Sequence, residues 1–133
     1  VVLSGGMRVL LRLEGAAVFS VALLAFAFAG ESWRLFALLF FAPDLAMVGY
    51  LAGPRAGAVA YNMLHSYAGP ALLVFLMAGG VLPVIWSVCL IWIAHIGLDR
   101  ALGYGLKYGT AFGDTHLGQL GRRRHRDRID AAG

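Results

Sequence analysis

Seven side chains in this sequence could hold a metal ion or pass a proton: Glu14, Asp44, Asn62, His65, His95, Asp99 and His116. Carboxylate and imidazole together make up the donor sets of non-haem iron, manganese and zinc sites. An open position on such an ion permits Lewis-acid or redox chemistry. His95 and Asp99 are four residues apart and so share a helix face, while Tyr61 and Asn62 precede His65 by four and three and share another. The metal set these positions allow is Asp44, His65, His95 and Asp99, with Glu14 as a further carboxylate and His116 as a ligand on a lid. No Glu-x-x-His or His-Glu-x-x-His spacing occurs, so no hydrolase signature singles out a catalytic residue.

Three uses of these groups compete on the residues alone. They could form a structural network that joins helices, Asp99 or Asp44 pairing with Arg55 or Arg100 and Asn62 with a histidine. That role suits an accessory subunit of a larger membrane complex, or a homodimer, in which His65 or His95 could also ligate a haem or chlorin. They could instead serve a metal-dependent membrane enzyme built on Glu14, Asp44, His65, His95 and Asp99. In the third use the chain is a small proton-coupled transporter with Glu14 as its exchangeable carboxylate.

Any of these roles needs helices to carry the groups into a bilayer, and the composition supplies them. Of 133 residues, 60% are hydrophobic and 14% charged, against about half and about a quarter in soluble domains. The apolar residues come in long runs, which excludes an ordinary soluble enzyme. Four spans are expected, over residues 8–29, 32–51, 56–78 and 82–102, giving an all-α, polytopic four-helix bundle. The breaks carry stop chemistry: Gly30-Glu31-Ser32, Gly53-Pro54-Arg55, and Gly79-Gly80 ahead of Pro83. Such short connections force antiparallel neighbours. Ala27-Phe28-Ala29 resembles a signal cleavage site, but the apolar stretch before it is long and Glu14 interrupts it, so the segment reads as a retained helix.

Positive residues are retained on the cytoplasmic side. With the amino terminus inside, ten of the eleven Lys and Arg residues fall inside and only Arg34 falls outside. The expected location is a bacterial inner membrane with both termini cytoplasmic. Residue counts along each span then place Glu14, Asp44, Asn62, His65, His95 and Asp99 in one layer of the cytoplasmic half, at roughly 1.5 Å per residue. A charged group there costs on the order of 2.5 to 3.5 kcal/mol, so these side chains are expected to face one another and not lipid. Pro43 and Pro70 remove the donors that Leu39 and Ser66 would otherwise receive, and a kink is expected at each.

Residues 1–121 are expected to form one membrane domain, ending in a glycine-rich cytoplasmic loop that carries Asp114 and His116. Residues 122–133 read as a basic, disordered tail that touches anionic lipid, since five arginines fall between Arg122 and Arg128. Because the basic excess belongs to that tail, membrane lipid and not nucleic acid is the expected partner. Cys89 is the single cysteine and sits inside an apolar run, as a packed thiol would.

Several segments resemble a known family. They are Gly49-Tyr50-Leu51-Ala52-Gly53-Pro54-Arg55-Ala56-Gly57, Tyr61-Asn62-Met63-Leu64-His65-Ser66-Tyr67, Ala94-His95-Ile96-Gly97-Leu98-Asp99-Arg100, Gly103-Tyr104-Gly105-Leu106-Lys107-Tyr108 and Phe112-Gly113-Asp114-Thr115-His116-Leu117-Gly118. Together they are similar to the bacterial membrane proteins grouped as domain of unknown function 4260, over residues 8–121. The resemblance implies an integral membrane protein and brings no assigned activity with it.

Overall fold

Ser4 begins the first helix by accepting a hydrogen bond from the Met7 amide at 3.2 Å, and α1 (Gly5–Ala29) then runs for 25 residues. It stops at Gly30, whose φ of 72° is the left-handed conformation that closes helices. Ser32 caps the next start, accepting from the Arg34 amide, and α2 (Trp33–Leu39) follows. The computed structural model describes residues 4–77, 79–80 and 83–106, and the backbone of 114–115 and 118–119.

Pro43 acts as its chemistry requires, with a larger effect than a kink. Without an amide hydrogen at Pro43 the α-helical ladder lapses. The chain tightens into a 3₁₀ helix over Ala42–Ala52, with the Asp44 amide donating to the Phe41 carbonyl three residues back at 3.0 Å. Eleven residues is long for a form whose runs usually stop at about three or four. Together Trp33–Ala52 forms a continuous apolar stretch of 20 residues, long enough to cross a membrane.

The expected third span is broken. α3 (Pro54–Leu64) and α4 (Ala68–Leu76) meet at an angle of 55° around residues 65–67. Pro70 accounts for part of this, because Ser66 loses its α-helical donor and accepts from the Gly69 amide instead. The freed carbonyls are satisfied by the last helix, α5 (Pro83–Leu102), as backbone at membrane depth must be. The Trp92 indole donates to the Leu64 carbonyl at 2.7 Å, and the Arg100 guanidinium donates to the His65 carbonyl at 2.8 Å. Gly69 lets the break close on α5, since a Cβ there would fall 2.5 Å from the Trp92 ring.

Three helices are thus long and apolar enough to span a membrane, or four if the bent pair counts as one crossing. α5 is the central one: half of its apolar window is buried in the protein, against 17% for α1 and for Trp33–Ala52. The outer faces of the other helices carry bare apolar side chains such as Leu38, Phe28 and Leu51, as lipid-facing surfaces do. α1 lies antiparallel to α5 with almost no space between them. A Cβ on Gly15 would meet the Ala101 amide nitrogen at 2.7 Å, and one on Gly97 would meet the Phe19 amide nitrogen at 2.7 Å. Such small-residue contacts are the usual means of helix association in lipid. Beside them lies an apolar cluster of Ala22, Phe26, Phe40, Leu90, Ile91 and Ala94. Cys89 is buried and free.

The start of α1 and the end of α5 lie at the same end of the bundle, where Arg12 Nε donates to the Ala101 carbonyl at 2.8 Å. Beyond α5, Asp114–Thr115 (β1) pairs antiparallel with Gly118–Gln119 (β2). The tail over residues 122–133 lies outside the described residues.

Candidate metal centre

Three of the segments converge on one point. The 3₁₀ helix carries Asp44, the end of α3 carries His65, and α5 carries His95 and, one turn later, Asp99. Each offers one donor atom, and these four atoms all lie within 4.8 Å of one another. His65 Nε2 is 3.2 Å from Asp44 Oδ1, 3.4 Å from Asp99 Oδ2 and 3.1 Å from His95 Nε2. His95 Nε2 is 3.3 Å from Asp44 Oδ1 and 3.4 Å from Asp99 Oδ2.

Neighbouring groups hold the rings in place. The His65 ring stacks on Tyr61 with centroids 3.7 Å apart and planes within 5°, and its Nδ1 donates to the Tyr61 carbonyl at 2.9 Å. The His95 ring packs edge-on to Phe40 at 5.2 Å, itself stacked on Phe36. His95 Nδ1 is buried without a hydrogen bond of good geometry, and the Phe40 carbonyl is an acceptor within electrostatic reach. Both imidazoles are buried and the Asp99 side chain is 16% exposed; the Asp44 side chain, at 37%, marks the open side of the site.

Counting hydrogens shows what this arrangement lacks. With Nδ1 of His65 committed to a carbonyl, its Nε2 presents a lone pair when the ring is neutral. At most one imidazole hydrogen, on His95 Nε2, then serves three converging acceptors. Protonating both imidazoles would offset the aspartates but would aim two N–H groups at each other across 3.1 Å. With only one imidazole protonated and both carboxylates ionised, the cluster keeps a net negative charge beside two buried rings, which a low-dielectric interior tolerates only when it is paired. A divalent cation at the centre would neutralise both carboxylates and take one lone pair from each of the four residues. The spacing suits one, because four tetrahedral donors at about 2.0–2.1 Å from an ion stand about 3.3–3.4 Å apart. The five donor separations given above run from 3.1 to 3.4 Å. The Tyr61 carbonyl then acts as the outer partner that fixes a ligating histidine's tautomer.

The other candidate residues are placed differently. Glu14 is exposed on α1, outside the group of four, with Tyr67 near enough to feel its charge. Asn62 is half-buried one turn before His65. Arg55 is exposed and Arg100 bonds to main-chain carbonyls, so Asp44 and Asp99 face histidines and not the arginines expected of a helix-joining network. The two imidazoles, which could also ligate a haem or chlorin, turn their Nε2 atoms toward each other in the buried interior. His116 lies outside the described residues, and of Asp114 only the backbone is described. Trp92 and Arg100, which hold the bent segment in place, were not anticipated as supports of the site. Their spacing from His95 by three and five residues is the signal that α5 carries them.

Comparison with known proteins finds one family. Residues 8–120 match the family model described as domain of unknown function (DUF4260). No curated protein and no solved structure matches the chain.

Proposed function

We propose, for a chain that belongs to the DUF4260 family, that Asp44, His65, His95 and Asp99 bind one divalent transition-metal ion inside the membrane-spanning bundle. The observation that carries this is the convergence, from three segments of the chain, of two Nε2 atoms and two carboxylates within 4.8 Å of one another, the histidine–histidine and histidine–carboxylate separations being 3.1–3.4 Å. Nitrogen and carboxylate donors in equal number suit zinc, manganese or iron, and not calcium or magnesium, which prefer oxygen. With the Asp44 side open, a bound ion can accept a further ligand and act as a Lewis acid toward it. The role is that of a membrane metalloprotein of enzymatic type, and Glu14 has no part in it.

The full chain, purified in detergent without chelators, tests this by elemental analysis. One equivalent of metal is expected, and His65→Ala and His95→Ala should each remove it while Glu14→Gln leaves it in place. Cobalt(II) substitution should give the visible absorption of a nitrogen- and oxygen-ligated ion. A folded protein that holds no metal and gives no such spectrum would overturn the proposal.

A further inference from the structure

An apolar cleft opens beside the cluster, between Leu39, Ala42 and Pro43 on one side and Val88, Ile91 and Trp92 on the other, with Leu64 at its floor. Each wall runs directly into a ligand-bearing segment: Pro43 precedes Asp44, Leu64 precedes His65, and Ile91 lies one turn before His95. Along α5 the order is cleft (88–92), metal ligands (95 and 99), then Arg100. Trp92 is near the middle of this 20-residue helix, and Arg100 lies eight residues, or about 12 Å, further along the axis. A bilayer's hydrocarbon core is about 30 Å thick, so that distance takes one from its centre nearly to its edge.

At that edge two guanidinium groups make no ion pair within 4.0 Å among the described residues, although Asp99 acts on Arg100 from further away. Arg12 Nε bonds to the Ala101 carbonyl, and the Arg100 guanidinium bonds to the carbonyls of His65 and Tyr104. Neutral carbonyls orient a guanidinium without cancelling its charge. Once a divalent ion offsets the two aspartates, this end of the site stays net positive, because Glu14 offsets only one of the two arginines. An apolar slot reaching the bilayer centre, an ion partway out and two arginines at the boundary follow the order of parts in one anionic lipid.

From this order we infer that the site takes an anionic glycerolipid from the leaflet on the Arg12 and Arg100 side, one acyl chain in the cleft and the anionic head between the ion and the arginines. This deepens the metal assignment and rests on it. Zwitterionic lipid fits the slot but gains nothing from the arginines. Exposed Arg12 together with half-buried Arg100 corresponds to a preference of about tenfold for the anionic head.

Fluorescence quenching tests the inference on the full metal-loaded chain in phosphatidylcholine vesicles. With Trp33→Phe and Trp86→Phe, Trp92 is left as the only indole, on the wall of the cleft. Phosphatidylglycerol with brominated chains, added as a minor component, should quench it with about tenfold stronger apparent association than brominated phosphatidylcholine. Ala42→Phe should fill the slot and abolish saturable quenching while metal content, measured on the same sample, is retained. Arg12→Gln, at an exposed position, should remove much of the anionic preference, with retained metal content on the same sample showing that loss of its bond to the Ala101 carbonyl leaves the site intact. Removing the ion by His95→Ala should weaken the preference further. Equal quenching by the two lipids would overturn the inference, as would a preference that survives both Arg12→Gln and loss of the ion. Absence of metal from the untreated protein is read before any lipid is added, and it would instead count against the metal assignment.

Discussion

At the scale of single residues, the placement of Arg100 carries as much as the four ligands. Its guanidinium replaces the donor that the broken helix denies to the His65 carbonyl, and His65 is itself one of the four proposed ligands. Arg100→Met should therefore leave that carbonyl unsatisfied at about 1–3 kcal/mol. The expected outcome is a lowered midpoint of thermal unfolding in detergent together with weakened metal retention, and an unchanged midpoint would show that another donor takes over. Much of the site was legible in the residues. His95 and Asp99 announce themselves by their spacing of four, and counts along the spans bring Asp44 and His65 to the same depth. Glu14 shows where that reasoning stops. It lies at a matching depth, yet Gly15 beside it is the residue that faces α5, and a rotation of one residue about the helix axis turns Glu14 out of the cluster. Depth follows from counting, whereas the direction a side chain points depends on packing partners that the count does not contain.

At the scale of elements, the two prolines were legible as disruptions but not in their form. Pro43 leads into eleven residues of 3₁₀ helix, and the segment around Pro70 bends by 55°. What the amino-acid pattern left open is which neighbour would supply the missing donors, because Trp92 and Arg100 belong to a helix separated in sequence by more than twenty residues. The packing of α1 on α5 depends on two glycines, and here the expected outcome is severe. Gly97→Val would place side-chain carbon within 2.7 Å of the Phe19 amide nitrogen, where backbone and not a flexible side chain must yield. Overpacking of this kind costs about 1–3 kcal/mol or more. Since His95 and Asp99 flank Gly97 on the same helix, the variant should lose metal as well as stability, measurable by elemental analysis and by unfolding in detergent. Retention of both would mean that α1 can shift away from α5 without disturbing the site.

For the molecule as a whole, the proposed ion would join side chains from three segments of the chain. Asp44, His65 and the pair on α5 belong to three different stretches of chain, so binding stabilises the folded arrangement over any in which they separate. At an ion concentration a hundred times the dissociation constant the linkage amounts to about 2.7 kcal/mol. Adding a chelator should lower the unfolding temperature of the native protein, readdition of zinc or manganese should restore it, and His95→Ala should respond to neither. A chelator effect of equal size in His95→Ala would trace the stabilisation to some other site. The membrane-spanning architecture was the part most open to prediction, since the apolar runs and their glycine and proline breaks mark the crossings without reference to tertiary structure.

The position of both His95 and Asp99 on α5 also bears on how the protein is made. As the chain leaves the ribosome, Asp44 and His65 enter the bilayer before the helix that completes their surroundings has been synthesised. For that interval a carboxylate and an imidazole must shelter in water at the translocation channel, or against each other, until α5 arrives. Under the proposed assignment, ion capture would be a late event in biogenesis, and a chain stalled before residue 95 would reach the membrane with the Asp44 carboxylate lacking its partners on α5.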